Sequence, residues 1–270
     1  MESWLGMPEV ASAHGAALDH VNYLVHWLMA ILFVGWAAFF VYLLVRFRRG
    51  RNPRADHEGI QTKAPKWLEG GVAVVEAVLL IAFSIPLWSE RVDAFPAEGE
   101  ATVVRVVAQQ FAWNVHYPGP DGVFGATRAD LVDTQTNPIG LDREDAAAAD
   151  DVTSINNLYL PVGKPAIIEL SSMDVIHSFM LNEMRVKQDA IPGVMIPVHF
   201  VPTVTTADMR AGRGDDDVHY EIACAQLCGN GHATMRGFLH VLPQDEFDAW
   251  MDEQVAAATE EVSEEDAFWQ

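Results

Sequence analysis

Residues 21–45 run for 25 positions without a charged side chain. A helix needs only ~20 apolar residues to cross a bilayer, so this run is expected to span a membrane. The segment before it, residues 1–20, is short and mixed and has no basic n-region, so a cleavable signal peptide is not expected. A second apolar run, residues 70–88, contains one acid, Glu76. Its length would also suit a buried soluble helix, but Trp67 and Trp88 flank it as interfacial residues do, which favours a second span. Residues 21–90 are therefore expected to form a two-helix transmembrane hairpin. Its connecting stretch, residues 46–66, carries seven basic residues and two acids. The positive-inside rule places that stretch in the cytoplasm and both chain ends outside.

The remainder is strongly acidic. Residues 91–270 hold 30 acids against 10 Lys plus Arg, and the whole chain has a formal charge of -21. That balance argues against nucleic acid as a partner. It fits either attraction of a basic partner or solubility in a salty habitat, and the sequence does not separate the two. Within residues 91–243, short apolar or alternating runs at 102–107, 111–117, 166–171, 177–183, 196–201, 218–223 and 237–242 predict strands. Punctuated by Gly and Pro and with no long helix between them, they predict an antiparallel β-sandwich or Greek-key barrel. Residues 118–157 break the pattern with Gly, Asp, Asn and Ala and are expected to be a surface insertion. Residues 244–270 predict one acidic peripheral helix or tail, with Phe247, Trp250, Met251 and Val255 as its apolar positions.

The chain's two cysteines lie in Cys224-Ala-Gln-Leu-Cys228-Gly-Asn-Gly-His232-Ala-Thr-Met235, between two predicted strands. Cys-x3-Cys alone is compatible with a small-loop disulfide, a zinc site or a copper site. The added imidazole and thioether make a soft N/S set that suits copper, and the methionine counts against zinc. Two coppers sharing two thiolates would need a second nitrogen donor. His177, at a junction between predicted strands, is the leading candidate, although spacing alone does not fix it. His116, His199, His219 and His240 fall within strand-like alternation and are expected to be hydrogen-bonded structural residues.

Two N-terminal apolar runs, an aromatic strand, Asp174-Val-Ile-His-Ser-Phe179, Lys187-Gln-Asp-Ala-Ile-Pro-Gly193 and Cys-x3-Cys-x3-His-x2-Met together resemble subunit II of haem-copper cytochrome c oxidase. The resemblance covers nearly the whole chain apart from residues 118–157. It implies a cupredoxin-like Greek-key domain behind a two-helix anchor, in the plasma membrane of a prokaryote with the domain on the periplasmic or extracellular side. It implies a binuclear copper A centre held by His177, Cys224, Cys228, His232 and Met235 through their side chains and by Gln226 through its backbone carbonyl. Such a subunit accepts single electrons from an external cytochrome c or small copper protein and passes them to haem in subunit I. Oxygen is reduced there and protons are translocated, with subunit III as a further partner.

Three departures from the family pattern bear on function. Gln226 stands where the family usually has a Glu that reaches a magnesium shared with subunit I; an amide is a poorer ligand for a hard cation, which counts against a complete magnesium site. The family's Gln-Trp-x-Trp reads Gln110-Phe111-Ala112-Trp113, so Phe111 and Trp113 are the candidates for receiving electrons. No Cys-x-x-Cys-His motif is present, so a separate carrier must act as donor. For the family's proton path, Glu69 matches the expected position and Glu76, deeper in the run, is the second choice. The competing readings are a membrane-anchored copper-delivery protein, which would have a thioredoxin-like fold, and a quinol oxidase subunit, which would lack the copper ligands.

Overall fold

The computed structural model describes residues 6–54, 57–59 and 61–268. They fall into two compact units, residues 16–94 and a second comprising residues up to 15 together with those from 95 onward. The first unit holds helix α1, Gly15–Arg46 for the most part, and a second helical stretch, Ala64–Val92. At 32 and 29 residues both exceed the ~20 needed to cross a bilayer. Both extend beyond the apolar runs that predict them. The second stretch is interrupted: α2 (Ala64–Leu79) passes through a π-helical turn at Leu80–Ser84 into α3 (Ile85–Val92). Pro86 explains the interruption, because a proline ring clashes with the carbonyl four residues earlier and cannot donate to it; a wider turn relieves the clash.

The second unit is a sandwich of two five-stranded sheets. One has the order β3 (Val152–Ile155), β2 (Ala112–Tyr117), β1 (Thr102–Gln109), β5 (Ala166–Ser172) and β8 (Ile196–Phe200). The other has the order β4 (Asn157–Pro161), β10 (Arg236–Leu242), β9 (Tyr220–Cys224), β6 (His177–Leu181) and β7 (Val186–Ala190). Inward-facing residues of both sheets make one core around Trp113, Tyr117, Phe179, Phe200 and Tyr220, all essentially inaccessible to solvent. Trp113 of one sheet meets Phe179 of the other edge to face at 5.6 Å, the arrangement aromatic quadrupoles favour.

This is the expected two-sheet, cupredoxin-like architecture, but it is not purely antiparallel. β1 pairs with β5, and β10 with β4, in parallel. Alternation does not reveal this, because β1 is covered on one face and shows the period-2 burial that an antiparallel strand would show. β3, β4 and β7 lie outside the predicted strands. All three are edge strands, and β7, Val-Lys-Gln-Asp-Ala, buries only its two ends, so its apolar signal is weak. A short helix, α4 (Thr206–Arg213), is likewise unpredicted; Thr205 caps it by accepting from the Asp208 N–H, and Gly214 ends it at φ +63°.

The N-terminal segment joins the sandwich. Ala11 and Ala13 donate to the carbonyls of Glu183 and Val201, and Ser12 Oγ donates to Met184 O at 2.7 Å. At the other end α5 (Gln244–Phe268) buries Phe247 and packs Trp250, Met251 and Val255 against the core. Trp250 stacks on Tyr159 at 4.2 Å. The stretch after Pro118 contributes a small core of its own, Ile139, Leu141 and Ala148, against Val107. It is fastened by a buried pair, His116 Nε2 to Asp151 Oδ2 at 2.7 Å. His219 and His240 also have hydrogen-bond partners, Arg210 and Asn157, and His199 packs on Phe95.

Candidate metal centre

Three loops at one end of the sandwich meet: the β1–β2 tip with Gln110 and Phe111, the β5–β6 loop with Asp174, and the β9–β10 loop with residues 225–235. Pairing of β6 with β9 sets Phe179 opposite Cys224, which brings the start of β6 to the start of the cysteine loop. The loop then winds tightly. His232 N donates to Gly229 O, Thr234 N to Gly231 O and Met235 N to His232 O, so His232 and Met235 both come back to Cys228. Gly229 takes φ +136°, open in practice only to glycine.

The ligand candidates form an ordered series. His177 Nδ1 lies 3.8 Å from Cys224 Sγ, the two sulfurs are 3.8 Å apart, and Cys228 Sγ lies 3.6 Å from His232 Nδ1. Met235 Sδ is 3.8 Å from Cys228 Sγ, and the Gln226 carbonyl oxygen is 3.2 Å from Cys224 Sγ. His177, Cys224, Cys228 and Met235 are buried, while His232 is partly exposed and the Gln226 side chain is exposed. His177, Cys224 and Cys228 form the one cluster among the described residues able to grip a single ion in common.

The cysteines are not cross-linked, and their separation far exceeds the ~2.05 Å of a disulfide. It fits a metal instead. Tetrahedral ligands at ~2.3 Å for sulfur and ~2.0 Å for nitrogen stand about 3.5–3.8 Å from one another, close to the spacings seen. Burial, reinforced by the hydrogen bond and charge of Cys224, pushes the Cys228 thiol up to about 11. Without metal it holds its proton at neutral pH, so metal uptake must release protons.

Asp174 completes the site in a way the sequence does not signal. Its Oδ1 accepts from His177 Nε2 at 2.9 Å and its Oδ2 from the Gln110 N–H at 2.8 Å. This fixes the proton of His177 on Nε2 and leaves Nδ1 bare toward the sulfurs, as a metal-ligating histidine requires. Burial works to raise the Asp174 carboxyl, but hydrogen bonds from His177, Val175 and Gln110 outweigh it and hold the group below its ordinary range.

The two aromatic candidates stand differently. Trp113 is wholly buried, with its ring 6.2 Å from that of His177. Phe111 is 38% exposed, and its ring lies so close to the cysteine loop that a Cβ on Gly231 would meet it at 2.5 Å. Glu69 and Glu76 both lie on α2, two turns apart on one face, in the other unit. The sandwich is unlike the thioredoxin-like fold expected of a copper-delivery protein.

Known proteins resemble this chain in sequence. Residues 102–241, more than half of the chain, match the family described as "Cytochrome C oxidase subunit II, periplasmic domain". The alternative cytochrome c oxidase subunit 2 of Bradyrhizobium diazoefficiens is 31% identical over 252 residues, covering 93% of this chain and 84% of that protein. Cytochrome c oxidase subunit 2 of Thermostichus vulcanus is 31% identical over 248 residues, covering 87% of this chain but 59% of that protein. The crystal structure of the periplasmic domain of subunit II of cytochrome oxidase of Bradyrhizobium japonicum is 25% identical, covers 57% of this chain and 92% of its own, and has a TM-score of 0.38. With a subunit II domain matched over most of the sandwich, a relative aligned along nearly its whole length and a soft-ligand cluster at the loop end, the chain belongs to the cytochrome c oxidase subunit II family.

Proposed function

We propose that this chain is the electron inlet of a respiratory haem-copper oxidase, holding a binuclear copper A centre and passing single electrons from an external carrier to haem in subunit I. The observation that carries this reading is the ordered series His177, Cys224, Cys228, His232, with one imidazole at each end of a sulfur pair. A single ion needs no such two-ended set. Cys224, Cys228, His177 and His232 would hold the copper pair through sulfur and nitrogen, with the Met235 thioether and the Gln226 carbonyl as weaker donors. Bound there, the pair supplies reversible one-electron chemistry.

The protein's own part is to keep that exchange fast. Ligands on a stiff sandwich need little rearrangement between redox states. Asp174 holds the His177 ring in one tautomer, and burial keeps water from the sulfurs. The exposed Phe111 ring, lying against the cysteine loop, is the better candidate for meeting a donor; Trp113, sealed in the core beside His177, is better read as support. Leu227, 77% exposed between the two cysteines, extends the apolar rim a carrier would meet. The exposed Gln226 amide is a poor magnesium ligand, so a full magnesium site is not part of the proposal. The seven basic residues at 46–66 support a two-span anchor with both ends and the copper domain outside the cell, and Glu69, ahead of Glu76, is the candidate at the mouth of a proton path.

Stopped-flow reduction of the assembled oxidase by a reduced c-type cytochrome or small copper protein tests this. The near-infrared and visible bands of the copper pair should bleach before haem is reduced, and Phe111→Ala should slow that first phase without altering the bands. Haem reduction that proceeds unchanged in a Cys224→Ser complex would exclude the inlet role. Transfer of copper to a second apo-protein, in place of electrons, would establish delivery.

A further inference from the structure

Gln110 touches both halves of the centre. It sits at the tip between β1 and β2, and those strands belong to the sheet that carries none of the ligands. Its backbone N–H donates to Asp174 Oδ2 at 2.8 Å, and Asp174 in turn holds His177. Its side-chain Nε2 donates to the Cys228 carbonyl at 2.5 Å. Next to it, the Phe111 ring presses on Gly231, and the space beside Gly229 is filled by Gln110 Nε2 and Phe111 Cζ, 2.6 and 3.1 Å from where a Cβ would stand. Both glycines are therefore required by close approach of this tip. Any side chain there would push the cysteine loop off Gln110.

We propose that Gln110 is a positioning residue for the copper pair, a yoke from the opposite sheet that fixes the spacing between the His177 side and the Cys228 side of the centre. This rests on the copper A reading above. β6 and β9 are neighbours, but the loops that leave them carry His177's orienting Asp174 and the Cys228–Met235 half separately. The hydrogen bonds of Gln110 join the two. A backbone carbonyl held by a side-chain amide cannot rotate freely, so the Cα of Cys228, and with it Sγ, is held relative to Asp174. The side-chain half of the yoke can be removed by mutation while the backbone half remains. That makes the role separable from the Asp174–His177 contact, which a change of the Gln110 side chain leaves in place.

The test uses the full-length chain in detergent, loaded with copper. Gln110→Ala deletes the Nε2 donor, and Gln110→Glu replaces it, at nearly equal size, with a carboxylate that can only accept. Outer-shell changes of this kind typically cost roughly 10–100-fold in metal affinity, so both variants should lose copper to a Cu(I)-selective chelator about that much faster than wild type. The copper that stays should show unequal hyperfine coupling from the two nuclei and shifted visible bands. Wild-type release rate and spectrum in Gln110→Ala would overturn the proposal. So would a Gln110→Glu variant that behaves as wild type, which covers the case in which the alanine variant does not fold. A variant less stable without copper but spectroscopically identical with it would reduce Gln110 to an ordinary packing residue. Failure of the underlying reading looks different: the wild-type chain itself would then show no copper pair.

Discussion

Replacing Asp174 by alanine should damage the centre more than the fold. The substitution leaves the His177 Nε2–H, which is wholly buried, without its acceptor at 2.9 Å. The Gln110 and Val175 N–H groups also lose their partner, but both residues are exposed, so water replaces it. The cost is thus concentrated on His177, where an unsatisfied buried donor is worth ~1–3 kcal/mol. A neutral imidazole can escape that cost by moving its proton to Nδ1, where Cys224 Sγ lies within 3.8 Å. The escape removes the lone pair that a metal needs, so the penalty reappears on binding. The expected result is a copper affinity lower by roughly 10–100-fold, about 1.4–2.7 kcal/mol, with a smaller change in the unfolding free energy of the copper-free chain. Asp174→Asn keeps an acceptor for Nε2 and should recover most of the affinity. Competitive titration with a Cu(I) chelator, beside urea unfolding of the copper-free protein, reads both quantities. Copper binding by Asp174→Ala within about twofold of wild type would refute the orienting role.

Three further outcomes follow from the same geometry. Trp113→Ala removes the largest buried side chain of the core and should cost ~3–5 kcal/mol in unfolding free energy, whereas Phe111→Ala should lower donor turnover and cost clearly less stability; the reverse order would exchange their roles. Gly231→Ala puts a methyl 2.5 Å from the Phe111 ring and should destabilise by ~1–3 kcal/mol, with a changed near-ultraviolet circular dichroism band; an unchanged band and Tm would contradict the close approach. In the copper-free, reduced chain the Cys228 thiol is raised from 9.0 to about 11, so the folded state favours the protonated form. Its contribution is fully present below about pH 9 and is lost as pH rises toward about 11, which a falling Tm over that window would show; Cys228→Ser should flatten the fall.

The cysteine loop was legible because its four side-chain ligands occupy twelve consecutive residues and the loop folds back on itself. His177, 47 residues from Cys224, was the leading candidate from its place between predicted strands, but position alone did not fix it, since its place beside Cys224 depends on the β6–β9 register. Asp174 and Gln110 stood in motifs that carry the resemblance, but their roles were not legible, because each acts across loops that only tertiary structure assembles. The strands with one buried face announced themselves by alternation; β3 and β7 bury too little to do so, while β4 does alternate, burying Leu158, Leu160 and Pro161, and was missed beside the irregular stretch that precedes it. Strand direction was illegible for a similar reason, as a half-covered parallel strand alternates like an antiparallel one. The stretch at 118–157 read as loop because its order comes from Asp side chains accepting backbone N–H groups, as Asp133 does from Gln135 and Thr136, and from the buried His116–Asp151 pair.

The most direct measurement is copper content together with low-temperature electron paramagnetic resonance of the purified full-length chain. The account predicts two coppers per chain and a purple, mixed-valence spectrum with hyperfine splitting from two equivalent nuclei, abolished by Cys224→Ser or Cys228→Ser. One copper per chain with splitting from a single nucleus, or a colourless Cu(I) form that gives no signal after oxidation, would contradict it.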